Sequence, residues 1–100
     1  MKGETMIKVH AAMELKPEAI DSLRPLVAEL VSATVQEKGC HNYNFCEQND
    51  KPGAFAIIET WEDQASLDEH MQSEHFTRLI PEISAFVTGE IVITVFNVLI

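Results

Sequence analysis

Residues 90–100 read Glu90-Ile91-Val92-Ile93-Thr94-Val95-Phe96-Asn97-Val98-Leu99-Ile100. Successive side chains of a strand point to opposite faces. Ile91, Ile93, Val95 and Leu99 therefore share one face, and Val92, Phe96 and Val98 share the other. A sheet with one solvated face alternates apolar and polar residues. This strand does not, so both of its faces call for cover. Ala54–Glu62 (AFAIIETWE) has the same character, with Phe55, Ala56, Ile57 and Ile58 in an unbroken row.

The rest of the chain supplies helices for only one of those faces. Met6–Met13 alternates as a strand, with Ile7, Val9, Ala11 and Met13 on one side and Met6, Lys8, His10 and Ala12 on the other. Pro17 suits the first turn of a helix and Glu18 its positive end. Ile20, Leu23, Val27, Leu30, Val31 and Thr34 recur at steps of three and four, which makes one apolar helical stripe. Gly39 reads as the helix stop. Asn42–Gln48 reads as a second strand, joined to Ala54–Glu62 through the turn Asn49-Asp50-Lys51-Pro52-Gly53 as an antiparallel hairpin. Asp63 and Ser73 are N-caps for two short helices. Leu67 and Met71 are expected to point inward from the first, and Phe76, Leu79, Ile80 and Ile83 from the second. Pro81 is expected to break the second. Gly89 is expected to open the last strand.

The order is β-α-β-β-α-β with the second helix in pieces. That is the ferredoxin-like α+β arrangement, a four-stranded antiparallel sheet with helices on one face. No helix is left for the other face, so a second copy's sheet is the predicted cover and a homodimer the predicted assembly. Residues 6–100 form one domain in this reading, and residues 1–5 a frayed N-terminus.

Composition narrows the function classes. The chain has 100 residues, 46% of them apolar, which suits one modest core. Sixteen acidic against seven basic residues give a net charge of -9. Such a balance repels phosphate backbones and anionic lipid, so no nucleic-acid or membrane partner is expected. No secretory signal and no membrane-length apolar run is read. Cys40 and Cys46 form neither a CxxC nor a disulfide framework, and a reduced, cytoplasmic setting is expected. P-loop, GxGxxG, GxSxG and HExxH motifs are absent. No nucleotide, flavin or nicotinamide cofactor is therefore expected, and no metal.

One segment carries a resemblance. Glu59-Thr60-Trp61-Glu62-Asp63-Gln64-Ala65-Ser66-Leu67-Asp68-Glu69-His70, with Ser73-Glu74-His75-Phe76 after it, resembles the hallmark of the antibiotic biosynthesis monooxygenase family. Glu37-Lys38-Gly39-Cys40-His41-Asn42-Tyr43 is similar to that family's passage into the second strand. The resemblance implies a dimeric α+β barrel with a pocket between sheet and helices in each subunit. It also implies several activities: cofactor-free oxygenation of phenols and quinols, haem degradation, and isomerisation of a phosphorylated sugar.

Against that background His10 is the candidate base. Histidine titrates near neutrality and can take a proton from a phenol or enol. In the haem-degrading relatives the aligned position carries a functional asparagine. The structural alternative is a half-buried histidine bonded to water. Trp61 resembles the family tryptophan that lines the pocket, where an indole stacks on an aromatic ligand and donates one hydrogen bond. Tyr43 is a candidate for orienting a ligand hydroxyl. His70, His75 and Phe76 complete the predicted substrate-binding set. A spacing of five is wrong for two ligands on one helix face, but a break at Ser73 can bring His70 and His75 together. Bonding across that break is their structural alternative. The haem-ligating helix position falls near Ile80, which argues against haem degradation. The expected function is thus cofactor-independent monooxygenation of a small phenolic or quinol-type substrate. An isomerase of a small phosphorylated carbonyl compound is the second reading, with Lys8 or Arg78 as the phosphate-binding cation. A non-catalytic binding protein is the third and predicts a filled pocket.

Overall fold

A computed structural model of the chain describes residues 5–100. The expectation for the N-terminus falls almost wholly on residues 1–4, outside the described residues. Strand β1 is Ile7–Leu15, and a 3₁₀ turn, Pro17–Ala19, leads into helix α1, Ile20–Thr34. Strands β2, Cys40–Glu47, and β3, Ala54–Trp61, form the hairpin. Helices α2, Gln64–Met71, and α3, Glu74–Ser84, precede strand β4, Val87–Asn97. The sheet order is β2-β3-β1-β4, with every neighbouring pair antiparallel. This is the expected ferredoxin-like α+β fold. Among the described residues no helix is long and apolar enough to cross a membrane.

The register assigns every strand residue to a face. Val9 pairs with Glu59 and with Val95, and Glu59 with Tyr43, so these four share one face. That face carries the helices: Ile7, Val9, Met13, Ile57 and Trp61 are buried there against Leu23 and Leu30 of α1 and Leu79 and Ile83 of α3. Each such side chain contributes roughly 1.5–3 kcal/mol by leaving water. The outer face holds the alternate residues. His10 pairs with Ile58 and Thr94, and Ala12 with Ala56 and Val92.

The caps form as the sequence implies. The Asp63 carboxylate accepts from the Ser66 N–H at 2.8 Å, and the Ser73 hydroxyl from the Phe76 N–H at 3.3 Å. Four local expectations need correction. Pro81 does not end α3, which runs three residues past it. Pro81 and Thr77 both lie on the exposed side, where water can take the freed carbonyl, while buried Leu79 and Ile83 hold the helix on the sheet. Met71 is 40% exposed rather than inward, because α2 is one short helix whose core contact is Leu67. Gly89 does not open β4; it lies two residues inside it at φ +81°, near a register shift against β1.

Gly39 is likewise not the helix stop, since α1 ends at Thr34. It adopts φ +91° in the turn before β2, packed against the start of α2. A Cβ added there would sit 2.7 Å from the Ser66 Cβ and closer still to its hydroxyl. Gly39→Ala is therefore expected to cost about 2–4 kcal/mol in urea unfolding, from left-handed backbone and overpacking together. Gly89→Ala, whose Cβ meets nothing within 4 Å, is expected to cost only about 1–2 kcal/mol. Equal losses would mean that Ser66 yields freely.

Candidate functional site

A cavity of about 370 Å³ opens between the helix face of the sheet and α3. Its size lies at the small end of ligand pockets. Ala11 and Met13 supply small and flexible floor residues, Phe76 and Ile80 one wall, and Ile91 and Ile93 the opposite wall. The helix face of β4 is therefore the cavity's apolar side. Tyr43 also lines it.

Two carboxylates border this mostly apolar lining, Glu90 exposed to solvent and Glu59 deep in the fold. Glu59, on β3, is 5% exposed. Trp61 lies two residues along the same strand, hence on the same face, and its Nε1–H donates to Glu59 Oε1 at 2.8 Å. Burial pushes the Glu59 carboxyl up from 4.5 to about 7, against the downward pull of the Trp61 bond, with the Glu37 charge adding a small rise. A carboxylate poised near neutrality in an apolar cavity is the arrangement a general base needs. Burial, followed by the Glu59 charge, also raises the Tyr43 hydroxyl far above its ordinary range, so it stays protonated.

Behind Glu59 lies a second cluster. The break between α2 and α3 brings His70 and His75 together, with ring centroids 5.8 Å apart. Both face Glu37, in the turn after α1: His70 Nδ1 is 2.7 Å and His75 Nε2 2.6 Å from Glu37 Oε2. The three ligand-type atoms lie within 4.8 Å of one another. Contacts of 2.6–2.7 Å to one shared oxygen are direct charge-assisted hydrogen bonds, so the carboxylate clamps α2 to α3. Packing fixes the His70 ring, with Trp61 at 4.7 Å, Phe76 at 4.9 Å and Tyr43 at 5.2 Å between centroids. Its pKa is lowered, first by burial, with the Glu37 bond opposing.

The predicted site residues thus divide. Tyr43 and Phe76 line the cavity, and His70 lines a small bay beside it. Trp61 is completely buried and reaches the cavity only through its bond to Glu59, so it orients the carboxylate and does not stack on a ligand there. His75 belongs to the Glu37 clamp. His10 lies apart from all of these. It is exposed on the outer face, in a separate hollow of about 210 Å³ with Ala12, Ala56 and Ile58. The sheet separates it from Trp61, Tyr43 and the main cavity. Lys8 is on the outer face too, donating to the Thr60 hydroxyl at 2.9 Å, and Arg78 is paired with Glu29 and Glu74 on the helix surface. Neither supplies a cation to the cavity. Glu59 and Glu37 open the two family-like segments, but no role in the site is read for either from the sequence. The available signal for Glu59 was its two-residue spacing from Trp61 on an apolar strand.

Similar proteins agree with this architecture. The sequence pattern of the family described as "Antibiotic biosynthesis monooxygenase" matches residues 6–82. A solved structure of an antibiotic biosynthesis monooxygenase is 42% identical and superposes with a TM-score of 0.85, covering 93% of this chain and 98% of that one. A conserved protein from Methanosarcina mazei Go1 is 30% identical at a TM-score of 0.89, over 92% and 91%. A Mycobacterium tuberculosis protein, provisionally named a monooxygenase, is 28% identical over 89% of this chain and 87% of its own length.

Proposed function

The chain belongs to the antibiotic biosynthesis monooxygenase family, and on that premise we propose that it oxygenates a small phenolic or quinol-type substrate without a cofactor, with Glu59 as the base. The observation that carries this reading is a buried carboxylate, raised to about 7, in a mostly apolar cavity of ligand size whose other carboxylate, Glu90, is exposed. His10 is not retained as the base, because the sheet stands between it and that cavity.

The chemistry is simple in outline. Glu59 accepts the hydroxyl proton of the bound phenol. The phenolate passes one electron to dioxygen, and the two radicals join at a ring carbon that bears hydrogen, para or ortho to the oxygen. The resulting peroxide anion takes the proton back from Glu59; its O–O bond then breaks as the ring C–H proton leaves, and water departs. One oxygen atom enters the product as a quinone carbonyl and the other departs in water. A phenol near pKa 10 lies about three units above Glu59, so the proton transfer is uphill by about 4 kcal/mol. That is modest beside the ~16 kcal/mol barrier of a step running at ~10 per second. The apolar walls exclude water from the phenolate, and Trp61 holds the carboxylate in place.

Oxygen uptake on a panel of phenols and hydroquinones tests the reading. One dioxygen consumed per quinone formed is the expected stoichiometry; no uptake above buffer on any member contradicts it. The isomerase reading loses its phosphate-binding cation, since Lys8 and Arg78 both lie elsewhere. The non-catalytic reading, which predicts a filled pocket, fits poorly with an open cavity of this size.

A homodimer joined through the outer sheet faces belongs to the same proposal. Ile58, Val92 and Phe96 are 42%, 60% and 50% exposed on that face, and a second copy would cover them. Phe96→Glu is expected to convert a dimer into a monomer in sedimentation velocity, while far-ultraviolet circular dichroism stays the same. A wild-type chain that sediments as a monomer at all concentrations would overturn the assembly.

A further inference from the structure

His70 has one nitrogen accounted for and one not. Nδ1 faces Glu37, whereas Nε2 is buried with no partner among the described residues. His70 is 1% exposed, so no bulk water meets it from outside. Buried polar atoms left without a partner are uncommon and call for an explanation. The ring lines a bay of about 20 Å³, roomy enough for a single water or one hydroxyl group. Glu59, Phe76 and Ile93 line that bay and the main cavity as well, so the bay is an extension of the cavity at the Glu59 end.

The tautomer decides what the bay can hold. A neutral imidazole has one N–H, and the Glu37 carboxylate claims it at Nδ1. Nε2 then carries a lone pair. The other polar group at the bay, Glu59, is also an acceptor when ionised, and its nearest donor, the Trp61 N–H, is already committed to it. Two acceptor residues that line one small bay require donors from the ligand. Carbonyl, carboxylate and phosphate groups bring none.

We propose that His70 Nε2 accepts a hydrogen bond from a second ligand hydroxyl adjacent to the one that Glu59 deprotonates, so that the site prefers ortho-diphenols. Adjacent hydroxyls can reach both acceptors from one edge of a ring. The hydroxyls of a para-hydroquinone lie at opposite ends of the ring, and a bay of this size receives only one of them. Glu37 acts on the ligand through His70, as a positioning residue. This inference rests on the cavity being the ligand site, as in the proposed function.

Anaerobic titration tests binding apart from turnover. Trp61 is the only tryptophan and touches both Glu59 and His70, so its fluorescence reports on the bay. Catechol, its monomethyl ether guaiacol, and hydroquinone are the probes at pH 8. Catechol is expected to bind about tenfold more tightly than either of the others, the size of one added hydrogen bond to a buried acceptor. His70→Asn retains an amide N–H for Glu37 and removes Nε2, and is expected to bring catechol and guaiacol within about twofold. Nitrogen-15 spectra of the wild-type chain give an independent readout: the His70 Nε2 signal should be that of an unprotonated nitrogen and should move with catechol but not with guaiacol. Equal wild-type affinities for catechol and guaiacol, or a protonated Nε2, would overturn the proposal. Catechol preference without oxygen uptake leaves His70's role standing and sinks the oxygenase reading; oxygen uptake without the preference does the reverse.

Discussion

Glu59→Gln is expected to lose most of its activity and, above pH 7, to be more stable than the wild-type protein. Glutamine keeps an acceptor for the Trp61 N–H but has no charge to bury. The native Glu59 carboxyl titrates near 7, and its ordinary value is 4.5. Between those values the native state holds the proton that the unfolded chain has released. Stability from this group therefore falls as pH rises from about 4.5 to about 7. Above 7 the full cost of burying the carboxylate is present, about 3 kcal/mol. The variant should gain up to that amount at pH 8 and almost nothing at pH 4, in paired urea titrations. His70 contributes with the opposite sign. Its folded pKa is lowered, so its contribution is present above the ordinary value of about 6.5 and is lost as pH falls from there through the lower folded value. It is common to both proteins and leaves the difference unchanged. Turnover should drop by about 10²–10⁴, the usual worth of a positioned base. In the wild type, kcat/KM should rise with pH to a plateau above about 7. A variant without added stability at pH 8 would show that the carboxylate is not held at a cost.

Trp61→Ala is expected to cost about 3–5 kcal/mol, a large share of what a small domain has. The indole is completely buried, packed against His70 and Tyr43, and the vacated space borders a charged residue. Trp61→Phe separates volume from the hydrogen bond. It retains most of the packing and removes the N–H that favours the ionised Glu59. Its stability loss should be smaller than that of alanine, and the rising limb of its pH–rate profile should move to higher pH. An unmoved limb would mean that the 2.8 Å bond does not govern Glu59.

Much of the fold was legible in the sequence. The two-residue alternation of Ile7 to Met13, the stripe from Ile20 to Thr34 and the caps at Asp63 and Ser73 all specify elements that the structure contains. Where local signals failed, tertiary packing had outweighed them: Pro81 stays helical between two buried anchors, and Gly39 answers to Ser66 of a different element. The site was less legible because β3 is apolar on both faces. Ile57 and Ile58 give no sign of which side meets the helices, so nothing in β3 alone sets Glu59 inside the fold. The alternation in β1 had already set His10 opposite Val9 and Ala11; the pairing of Val9 with Glu59 then assigns the two candidate bases to opposite faces. Pairing between distant segments carries that information, and no local pattern does.

The most direct measurement is oxygen uptake by Glu59→Gln and His10→Ala side by side, on whichever phenol the wild-type protein consumes. Proton chemistry in the sheet–helix cavity predicts a loss of at least about a hundredfold in the first variant and near wild-type rates in the second. Full activity of Glu59→Gln, with collapse of His10→Ala, would place the reaction on the outer face of the sheet and contradict the assignment.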